Sequence, residues 1–282
     1  MYEAYYHFQA KPFRLSPDPR FFFSSRGHRR AMAYLMYGVH QGEGFIVITG
    51  EIGAGKTMLA NTLASKMASQ NLMLAQVVST NLEADDIVRM VAAAFGLSQE
   101  NSKAVLLNRI EQFLLACHKQ GKRVLLVVDE AQNLPARSVE ELRMLSNFVC
   151  ADRPLLQTFL LGQPEFRKML QSPQMEQLRQ RVTASCHLGP MEGAETAAYI
   201  VHRLKTVGWR NDPSFSDDAF AVIHQQTGGI PRKINILCDR VLLMGHLEEK
   251  HAITGKEVAE VIGELQQEFA FADPRVGQKG RG

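Results

Sequence analysis

Residues 50–57 read Gly-Glu-Ile-Gly-Ala-Gly-Lys-Thr, a complete Gly-x-x-x-x-Gly-Lys-Thr pattern. The apolar, β-branched residues 44–49 before it predict a buried strand, and the Leu-, Ala- and Met-rich residues 58–69 after it predict a helix. A glycine loop between a strand and a helix is the context that separates this motif from a chance match. The pattern therefore predicts an α/β fold whose first strand ends in a phosphate-binding loop.

The residue types of this loop suit the binding of a nucleoside triphosphate. Glycine lets the backbone approach phosphate oxygens closely, and the helix that follows adds the positive end of its dipole. Lys56 is predicted to contact the β- and γ-phosphates, and Thr57 to place its hydroxyl on Mg²⁺. No chemistry is assigned to the side chains at the variable positions 51 and 52. The predicted nucleotide-binding residues of this stretch are Gly50, Glu51, Ile52, Gly53, Ala54, Gly55, Lys56, Thr57 and Met58.

A second motif follows another buried strand. The continuous apolar run at residues 124–128 is typical of a parallel strand buried on both faces, and it ends in Asp129 and Glu130. Two carboxylates at this place are costly without a partner, and Mg²⁺ and an attacking water supply one. Asp129 is predicted to hold the metal, and Glu130 to orient and polarise the water for attack on the γ-phosphate. The alternative is a helix N-cap, for which Asp is also favoured.

Four segments are predicted along the chain. Residues 1–27 form an aromatic and proline-rich arm packed on the core, because a disordered tail would not hold so many aromatic side chains. This arm lies either near the nucleotide base or simply as a hydrophobic cap. In residues 28–189 strands alternate with helices, which predicts a parallel central sheet flanked by helices. Residues 190–270 show helical patterns and are predicted to form an all-helical lid domain, followed by a flexible tail at residues 271–282.

The element boundaries follow from the hydrophobic patterns and from Gly and Pro. Beyond the two motif strands, further strands are predicted at residues 72–78, 155–161 and 184–188. In the α/β part, helices are predicted at residues 28–41, 82–95, 103–118, 136–149 and, in short pieces, 165–182. In the lid they are predicted at residues 194–207, 216–227, 231–248 and 254–268.

Three polar positions outside the two motifs are further site candidates. Gln163 follows the strand at residues 155–161 and is predicted to touch the γ-phosphate or the water, with Thr158 a weaker candidate inside that strand. Arg181 is favoured over Arg179 as an arginine that reaches the nucleotide of a neighbouring subunit, the alternative being two solvated arginines. Arg232 lies in a predicted first helical turn, where the helix dipole disfavours a cation, so an anionic partner such as the nucleotide phosphates is expected.

The bulk properties exclude several classes. The net charge of +3 does not by itself argue for nucleic acid, and the four scattered cysteines show no metal-binding spacing. No apolar run approaches the roughly 18 residues of a membrane span, and no signal-peptide core is present. We therefore expect a cytoplasmic protein, with peripheral attachment to the inner membrane as the further option.

In these motifs the chain resembles the AAA+ ATPases, and within them the general secretion pathway protein A family. The resemblance covers about residues 5–268. The stand-alone length is most similar to the ATPases of exosortase (PEP-CTERM) and exopolysaccharide loci. The motifs that carry it are 11–13 with 17–19, 50–57, 129–132, 161–165, 178–181 and 228–232.

The resemblance implies an ATP-dependent homo-oligomer that hydrolyses ATP with Mg²⁺ and drives or gates a secretion, protein-sorting or polysaccharide-export assembly at the cell envelope. Two alternatives stay open. One is a DNA-bound regulator similar to transposition-associated ATPases, with basic surface from residues such as Arg29 and Arg30. The other is a nucleotide-gated scaffold that scarcely hydrolyses ATP, against which the intact pair Asp129 and Glu130 argues.

Overall fold

The computed structural model describes residues 1–67, 71–78, 84–98 and 102–272. Its described residues form two compact units, one within residues 26–189 and the other made of residues 1–25 together with 190–272. Each unit has its own hydrophobic core. Within the described ranges, no helix combines the length and the apolar character needed to cross a membrane.

The α/β unit is built on a five-stranded parallel sheet. Its strands in chain order, including a two-stranded hairpin, are β1 (Phe45–Gly50), β2 (Leu72–Val78), β3 (Arg123–Asp129), β4 (Val149–Cys150), β5 (Arg153–Pro154), β6 (Leu156–Gly162) and β7 (Val182–Leu188). The order in the sheet is β2-β3-β6-β1-β7, and β4 pairs with β5. Every residue of β1 and β6 is buried, as their apolar runs predict, whereas the edge strand β7 alternates between covered and exposed positions.

Helices pack against this sheet. After α1 (Tyr2–Tyr5), which belongs to the other unit, they are α2 (Arg26–Gln41), α3 (Lys56–Met67), α4 (Ala84–Ala94), α5 (Lys103–Lys119), α6 (Ala136–Leu145), α7 (Pro164–Leu170) and α8 (Glu176–Arg179). The predicted parallel sheet flanked by helices is confirmed, and so is the position of the strand at residues 155–161 beside the phosphate-loop strand. The first two residues of the helix predicted at 82–95 lie outside the described residues.

The helix predicted at residues 136–149 is too long. Helix α6 ends at Leu145, and the chain then forms the β4–β5 hairpin. The turn of this hairpin is made by Ala151 and Asp152, both of which have positive φ angles (48° and 61°). Glycine usually occupies turn positions with positive φ and marks them in a sequence, but here Ala and Asp occupy them. The turn was therefore not visible in the sequence, and the prediction of a continuous helix was wrong.

The second unit is mainly helical. In chain order its remaining elements are α9 (Gly193–Thr206), β8 (Ser214–Phe215), α10 (Asp217–Thr227), α11 (Pro231–Leu247), β9 (Ala252–Ile253) and α12 (Gly255–Ala272). The prediction of helical structure alone in this segment needs one correction, because β8 and β9 pair in parallel. Each of these strands has only two residues, too short to show a strand pattern in the sequence. The predicted tail at residues 271–282 lies outside the described residues from 273 onward.

The N-terminal arm belongs to this second unit. Its aromatic side chains Tyr2, Tyr6, Phe8, Phe13 and Phe21 are buried in the same core as α9, α10 and α11. The buried guanidinium of Arg203 on α9 holds the arm, donating from Nε to the carbonyl of Pro12 (2.5 Å) and from Nη2 to that of Arg14 (3.0 Å). The arm is therefore an integral part of this core, and its predicted location near a nucleotide base stays a prediction.

Candidate active site

The carboxyl ends of three parallel strands bring the predicted catalytic residues to one edge of the sheet. Thr49 at the end of β1 pairs with Gly162 at the end of β6, and β3 runs alongside β6 up to Val128. The phosphate loop, the acidic pair after β3 and Gln163 after β6 therefore leave the sheet at the same edge. A crevice at the carboxyl ends of parallel strands is the usual ligand position in open α/β sheets.

The loop at residues 50–57 connects β1 to α3 as predicted. Gly55 has a φ of +95°, and a Cβ atom there would lie 2.9 Å from Nε2 of the buried His28. Glycine is required at this position both by its backbone angle and by the imidazole packed against it. In the same loop Glu51 and Ile52 are exposed, consistent with their lack of assigned chemistry, and Met58 is half-buried in the first turns of α3.

Lys56 is folded back onto the loop. Its side chain is only 6% exposed, and Nζ donates to the carbonyl oxygens of Gly50 (2.8 Å) and Glu51 (3.1 Å). Burial lowers the pKa of the ammonium, while the nearby carboxylates of Glu130, Asp129 and Glu51 act in the opposite direction. A buried cation that is hydrogen-bonded only to carbonyls is well placed to exchange them for phosphate oxygens.

The two predicted magnesium ligands are in direct contact. Thr57 Oγ1 donates to Oδ2 of Asp129 at 2.6 Å, and the backbone N–H of Glu130 donates to Oδ1 of Asp129 at 2.9 Å. Asp129 is 7% exposed. Both oxygens of this carboxylate are therefore oriented, one of them toward the hydroxyl at the start of α3.

Glu130 has an unusual backbone and a well-held side chain. Its angles (φ 55°, ψ 40°) are left-handed, and it precedes a short 3₁₀ turn, Ala131–Asn133, without making a capping hydrogen bond from its side chain. Its Oε2 accepts instead from Gln132 Nε2 (2.5 Å) and from Gln163 Nε2 (3.1 Å). The N-cap position of this turn is Glu130, not Asp129 as the capping alternative expects, and the left-handed backbone of Glu130 marks a position held by its surroundings.

The environment keeps the Glu130 carboxylate ionised. Burial acts to raise its pKa, but the hydrogen bonds from Gln132 and Gln163 and the charge of Lys56 hold the pKa below its usual value. An ionised carboxylate whose Oε2 is occupied by two amide donors can accept a further hydrogen bond at Oε1.

Gln163 is therefore next to Glu130, whereas Thr158 is not near this edge. Gln163 N donates to Gln132 Oε1 at 3.0 Å, so the two glutamines and Glu130 form one connected network. Thr158 is buried within β6 and pairs with Phe45, the first residue of β1. It lies toward the amino edge of the sheet, which leaves Gln163 as the better of the two candidates.

Two contacts of this site were missed in the sequence. Gln132 is the closest hydrogen-bond donor to Glu130, and its only signal is an amide two positions beyond the acidic pair. His28 lies against the phosphate loop from the start of α2, and nothing in its local sequence indicates this contact. The Gln132 contact is local, between residues two positions apart, whereas the His28 contact depends on how α2 packs against the loop.

The arginines before β7 lie at the opposite edge of the sheet. Val182 pairs with Phe45, the first residue of β1, so Arg181 is roughly 17 Å along the sheet from the phosphate loop of its own chain. The half-buried Arg181 donates from Nη1 to Ser146 Oγ (2.8 Å). Arg179 is exposed and donates to the carbonyls of Leu170 (2.8 Å) and Ser172 (3.2 Å). Neither is brought together with the residues at the carboxyl edge.

Arg232 lies in the other unit. It is exposed in the first turn of α11, directly after Pro231. The preceding Gly229 packs so closely that a Cβ atom there would lie 2.0 Å from the carbonyl oxygen of Met191. The tight entry to α11 is therefore a structural feature of this unit, and contact of Arg232 with a nucleotide stays a prediction.

The chain is similar in sequence to known proteins. Residues 39–170 match the model of the AAA domain family. The chain is 35% identical to general secretion pathway protein A of Aeromonas hydrophila over 261 residues, which is 92% of this chain and 47% of that protein. The chain thus spans about half the length of this relative.

Solved structures share the fold at low identity. The ORC2 protein of Aeropyrum pernix, in its ADPNP-ADP complexes, superposes with a TM-score of 0.70 at 15% identity, covering 91% of this chain and 72% of that one. Cdc6p of Pyrobaculum aerophilum superposes with a TM-score of 0.72 at 14% identity, covering 90% and 70%. At these identities the likeness shows the shared fold and carries no further functional statement.

Proposed function

We propose that this chain is an AAA ATPase that hydrolyses ATP with Mg²⁺ at the site formed by Lys56, Thr57, Asp129, Glu130 and Gln163. The observation that carries the proposal is the meeting of Thr57 and Asp129 at 2.6 Å beside a Glu130 carboxylate held by two glutamine amides. A hydroxyl, a carboxylate and an oriented base next to a phosphate loop are the parts needed for phosphoryl transfer to water.

The residues present fit a magnesium ion. Thr57 and Asp129 supply oxygen donors, which Mg²⁺ prefers, and the described residues contain no cluster of three or more His, Cys, Asp or Glu side chains that would form an all-protein cage. Mg²⁺ usually takes one or two protein ligands, with water and substrate phosphates completing its shell. When bound, the ion neutralises charge on the β- and γ-phosphates.

The other side chains bind the phosphates and direct the water. Lys56 exchanges its two loop carbonyls for phosphate oxygens, which compensates the burial of its charge. Glu130 accepts a hydrogen bond from the attacking water and takes up its proton, a role that requires the ionised carboxylate. Gln163 and Gln132 hold Glu130 in this orientation, so these amides act through it.

The position of Arg181 favours an oligomer. Roughly 17 Å of sheet separates it from its own phosphate loop, so a catalytic role for it requires the nucleotide of a neighbouring subunit. An arginine supplied in trans stabilises the charge of the transferring phosphoryl group. Arg179, which is more exposed, is the second candidate for this role, and Arg232 is proposed to sense the nucleotide phosphates.

The biological role is proposed from the relative. The Aeromonas hydrophila protein carries the name general secretion pathway protein A. We propose that this chain, as an ATP-stabilised homo-oligomer in the cytoplasm or at the inner membrane, drives or gates a secretion, protein-sorting or exopolysaccharide-export assembly of the cell envelope.

A DNA-bound regulator is the second candidate, and one observation favours it. Helix α2 exposes Arg26, Arg29 and Arg30 and contains no carboxylate. Such a face suits phosphate contacts, which weaken steeply with salt. A shift of duplex DNA that requires ATP and is lost at higher salt would support this candidate, and its absence at low salt would remove it.

The catalytic assignment is tested with two variants of the phosphate site. Lys56→Ala should lose ATP binding, whereas Glu130→Gln should keep ATP binding and lose hydrolysis by at least about 100-fold. Equilibrium binding of a fluorescent ATP analogue and phosphate release measure the two properties separately. If Glu130→Gln hydrolysed ATP at the wild-type rate, the assignment of the base would be wrong.

A further inference from the structure

A cavity opens in the α/β unit beside β1, the strand that leads into the phosphate loop. Its volume is about 430 Å³, and it lies between the β1–β7 face of the sheet and the helices α7 and α8. Its polar lining residues are Thr49, Arg167, Gln171, Arg179, Ser185 and His187. A volume in this range holds a small organic molecule.

The cavity is positively charged and lacks compensating acids. Two guanidinium groups line it, and its lining contains no Asp or Glu. Within the described part of the chain, the exposed Arg167 makes no hydrogen bond or ion pair. Arg179 is oriented by backbone carbonyls, of Leu170 (2.8 Å) and Ser172 (3.2 Å), and has no carboxylate partner among the described residues. Two such guanidinium groups in one cavity attract an oxyanion.

The opposite wall adds further hydrogen-bonding groups. A 3.0 Å hydrogen bond joins Thr49 Oγ1 and His187 Nδ1, which holds the imidazole against the end of β1. Ser185 presents a hydroxyl on the same strand, and burial raises the pKa of the neighbouring Cys186 thiol to about 11, so this thiol is neutral. Val47, another lining residue, supplies apolar surface. Such a wall adds no negative charge that would repel an anion.

We propose that this cavity binds a small phosphate-bearing anion and that its occupancy regulates ATP hydrolysis. Arg167 and Arg179 bind the phosphate oxygens, and the apolar wall accommodates the body of the ligand. Arg167 has no part in the catalysis proposed above, whereas Arg179 is there the second candidate for the arginine supplied in trans, so binding is tested through Arg167. The regulation rests on the proposed ATP hydrolysis at the site of Lys56.

Two elements connect the cavity to the active site. Thr49 directly precedes Gly50, whose carbonyl accepts the hydrogen bond from Lys56. Helix α7 contributes Arg167 to the cavity, and the residue before this helix is Gln163, which donates to Glu130. An anion that displaces either β1 or α7 therefore changes the position of a catalytic group, and this gives the physical route for coupling.

Binding is tested in a background where the phosphate loop is disabled. Pyrophosphate is titrated calorimetrically into the Lys56→Ala chain, alone and combined with Arg167→Glu or with the control Lys168→Glu, an exposed neighbour on α7 outside the cavity lining. We expect pyrophosphate to bind one saturable site. Its dissociation constant should rise about tenfold or more with Arg167→Glu and change little with the control. Ser185→Asp, which places a carboxylate on the other wall, should lower the affinity for pyrophosphate to a similar extent.

Several results would overturn the proposal. Absence of saturable pyrophosphate binding would do so, and so would equal weakening by Arg167→Glu and Lys168→Glu, which would indicate general surface charge. Tighter binding of citrate than of pyrophosphate would overturn the assignment to phosphate. Retained binding with Ser185→Asp would place the anion elsewhere.

The regulatory part is tested by ATP turnover. At saturating ATP, pyrophosphate should change kcat in the wild-type chain and in Lys168→Glu but leave kcat unchanged in Arg167→Glu. An equal response of all three chains would overturn the regulatory link. If binding occurs in the cavity but no chain hydrolyses ATP, the catalytic proposal fails while the binding site stands, so the two failures are distinguishable.

Discussion

The hydroxyl of Thr57 donates a 2.6 Å hydrogen bond to Oδ2 of Asp129, joining the start of α3 to the end of β3 across the intervening strand β6. This contact brings the two oxygen donors proposed for magnesium together beside the phosphate loop. It also means that neither side chain must move far to accept the ion, since the hydrogen bond already holds their oxygens together.

Removal of the Thr57 hydroxyl should weaken the use of magnesium. Thr57→Val keeps the side-chain shape and loses the oxygen donor, so we expect the Mg²⁺ concentration for half-maximal ATPase activity to rise about tenfold or more. The matched control is Thr62→Val on the same helix, whose hydroxyl donates only to the carbonyl of Met58. Identical magnesium curves for the Thr57 and Thr62 variants would contradict the ligand assignment.

Gln132 and Gln163 should act as a unit on Glu130. Each donates to Oε2 of Glu130, and they are joined by the Gln163 N–H to Gln132 Oε1 contact. We therefore expect Gln132→Ala and Gln163→Ala each to lower kcat with ATP affinity retained. The increase in activation free energy of the double variant should be smaller than the sum of the two single increases, by a coupling energy of about 0.5–3 kcal/mol.

A double-mutant cycle on kcat measures this coupling. Gln120→Ala, an exposed glutamine after α5, serves as the control and should leave kcat unchanged. Strictly additive losses from the Gln132 and Gln163 substitutions would show that the two amides do not act through one carboxylate.

Arg181, at the amino edge of the sheet, should complete the active site of a neighbouring subunit. Arg181→Ala is expected to reduce kcat by about 10³-fold, with the monomer fold unaffected apart from the lost contact to Ser146. Mixing this variant with Glu130→Gln should restore part of the activity, because some sites then combine Glu130 of one subunit with Arg181 of the next. The measurement is the ATPase rate against mixing ratio.

The same mixing experiment with Arg179→Ala identifies the better arginine. Recovery with Arg179→Ala and none with Arg181→Ala would transfer the trans role to Arg179. No recovery with either would count against a catalytic arginine supplied by the neighbour.

The helical unit should lose part of its stability in acid through Glu257. Hydrogen bonds from the Thr254 hydroxyl and backbone, at the start of α12, lower the pKa of Glu257 from 4.5 to about 2, despite the opposing effect of burial. Because the folded-state pKa is the lower one, the stabilisation is complete above about pH 4.5 and is lost as the pH falls toward about 2.

Glu257→Gln should therefore have a lower free energy of unfolding than the wild type near neutral pH. This difference in free energy should become smaller in acid. Urea unfolding at about pH 7 and about pH 3 measures the difference, with the exposed Glu264→Gln on the same helix as control. A difference that stays constant between the two pH values would contradict the ionised-state origin of the stabilisation.

The sequence motifs predicted the chemistry of the site better than its supporting contacts. Lys56, Thr57, Asp129 and Glu130 were identified because each belongs to a short pattern next to a buried strand. Gln132 belongs to the recognised motif 129–132, but its hydrogen bond to Glu130 was not predicted, because an amide in a loop has many uses.

Some structural details had no local signal at all. The turn at Ala151 and Asp152 uses left-handed backbone at residues that seldom adopt it, so the helix before it was predicted too long. The β8–β9 pair joins segments of two residues each, and such short strands depend on the surrounding helices for their pairing.

By itself, the sequence determined the phosphate loop between a strand and a helix, the acidic pair after a second strand, and the alternation of strands and helices. These features depend on residues within a few positions of one another, whose backbone preferences and chemistry are local. Only the tertiary structure decided that Thr57 meets Asp129, that Gln163 reaches Glu130, and that Arg181 lies at the far edge of the sheet. Those relationships depend on the order β2-β3-β6-β1-β7, which long-range pairing among similar apolar strands sets.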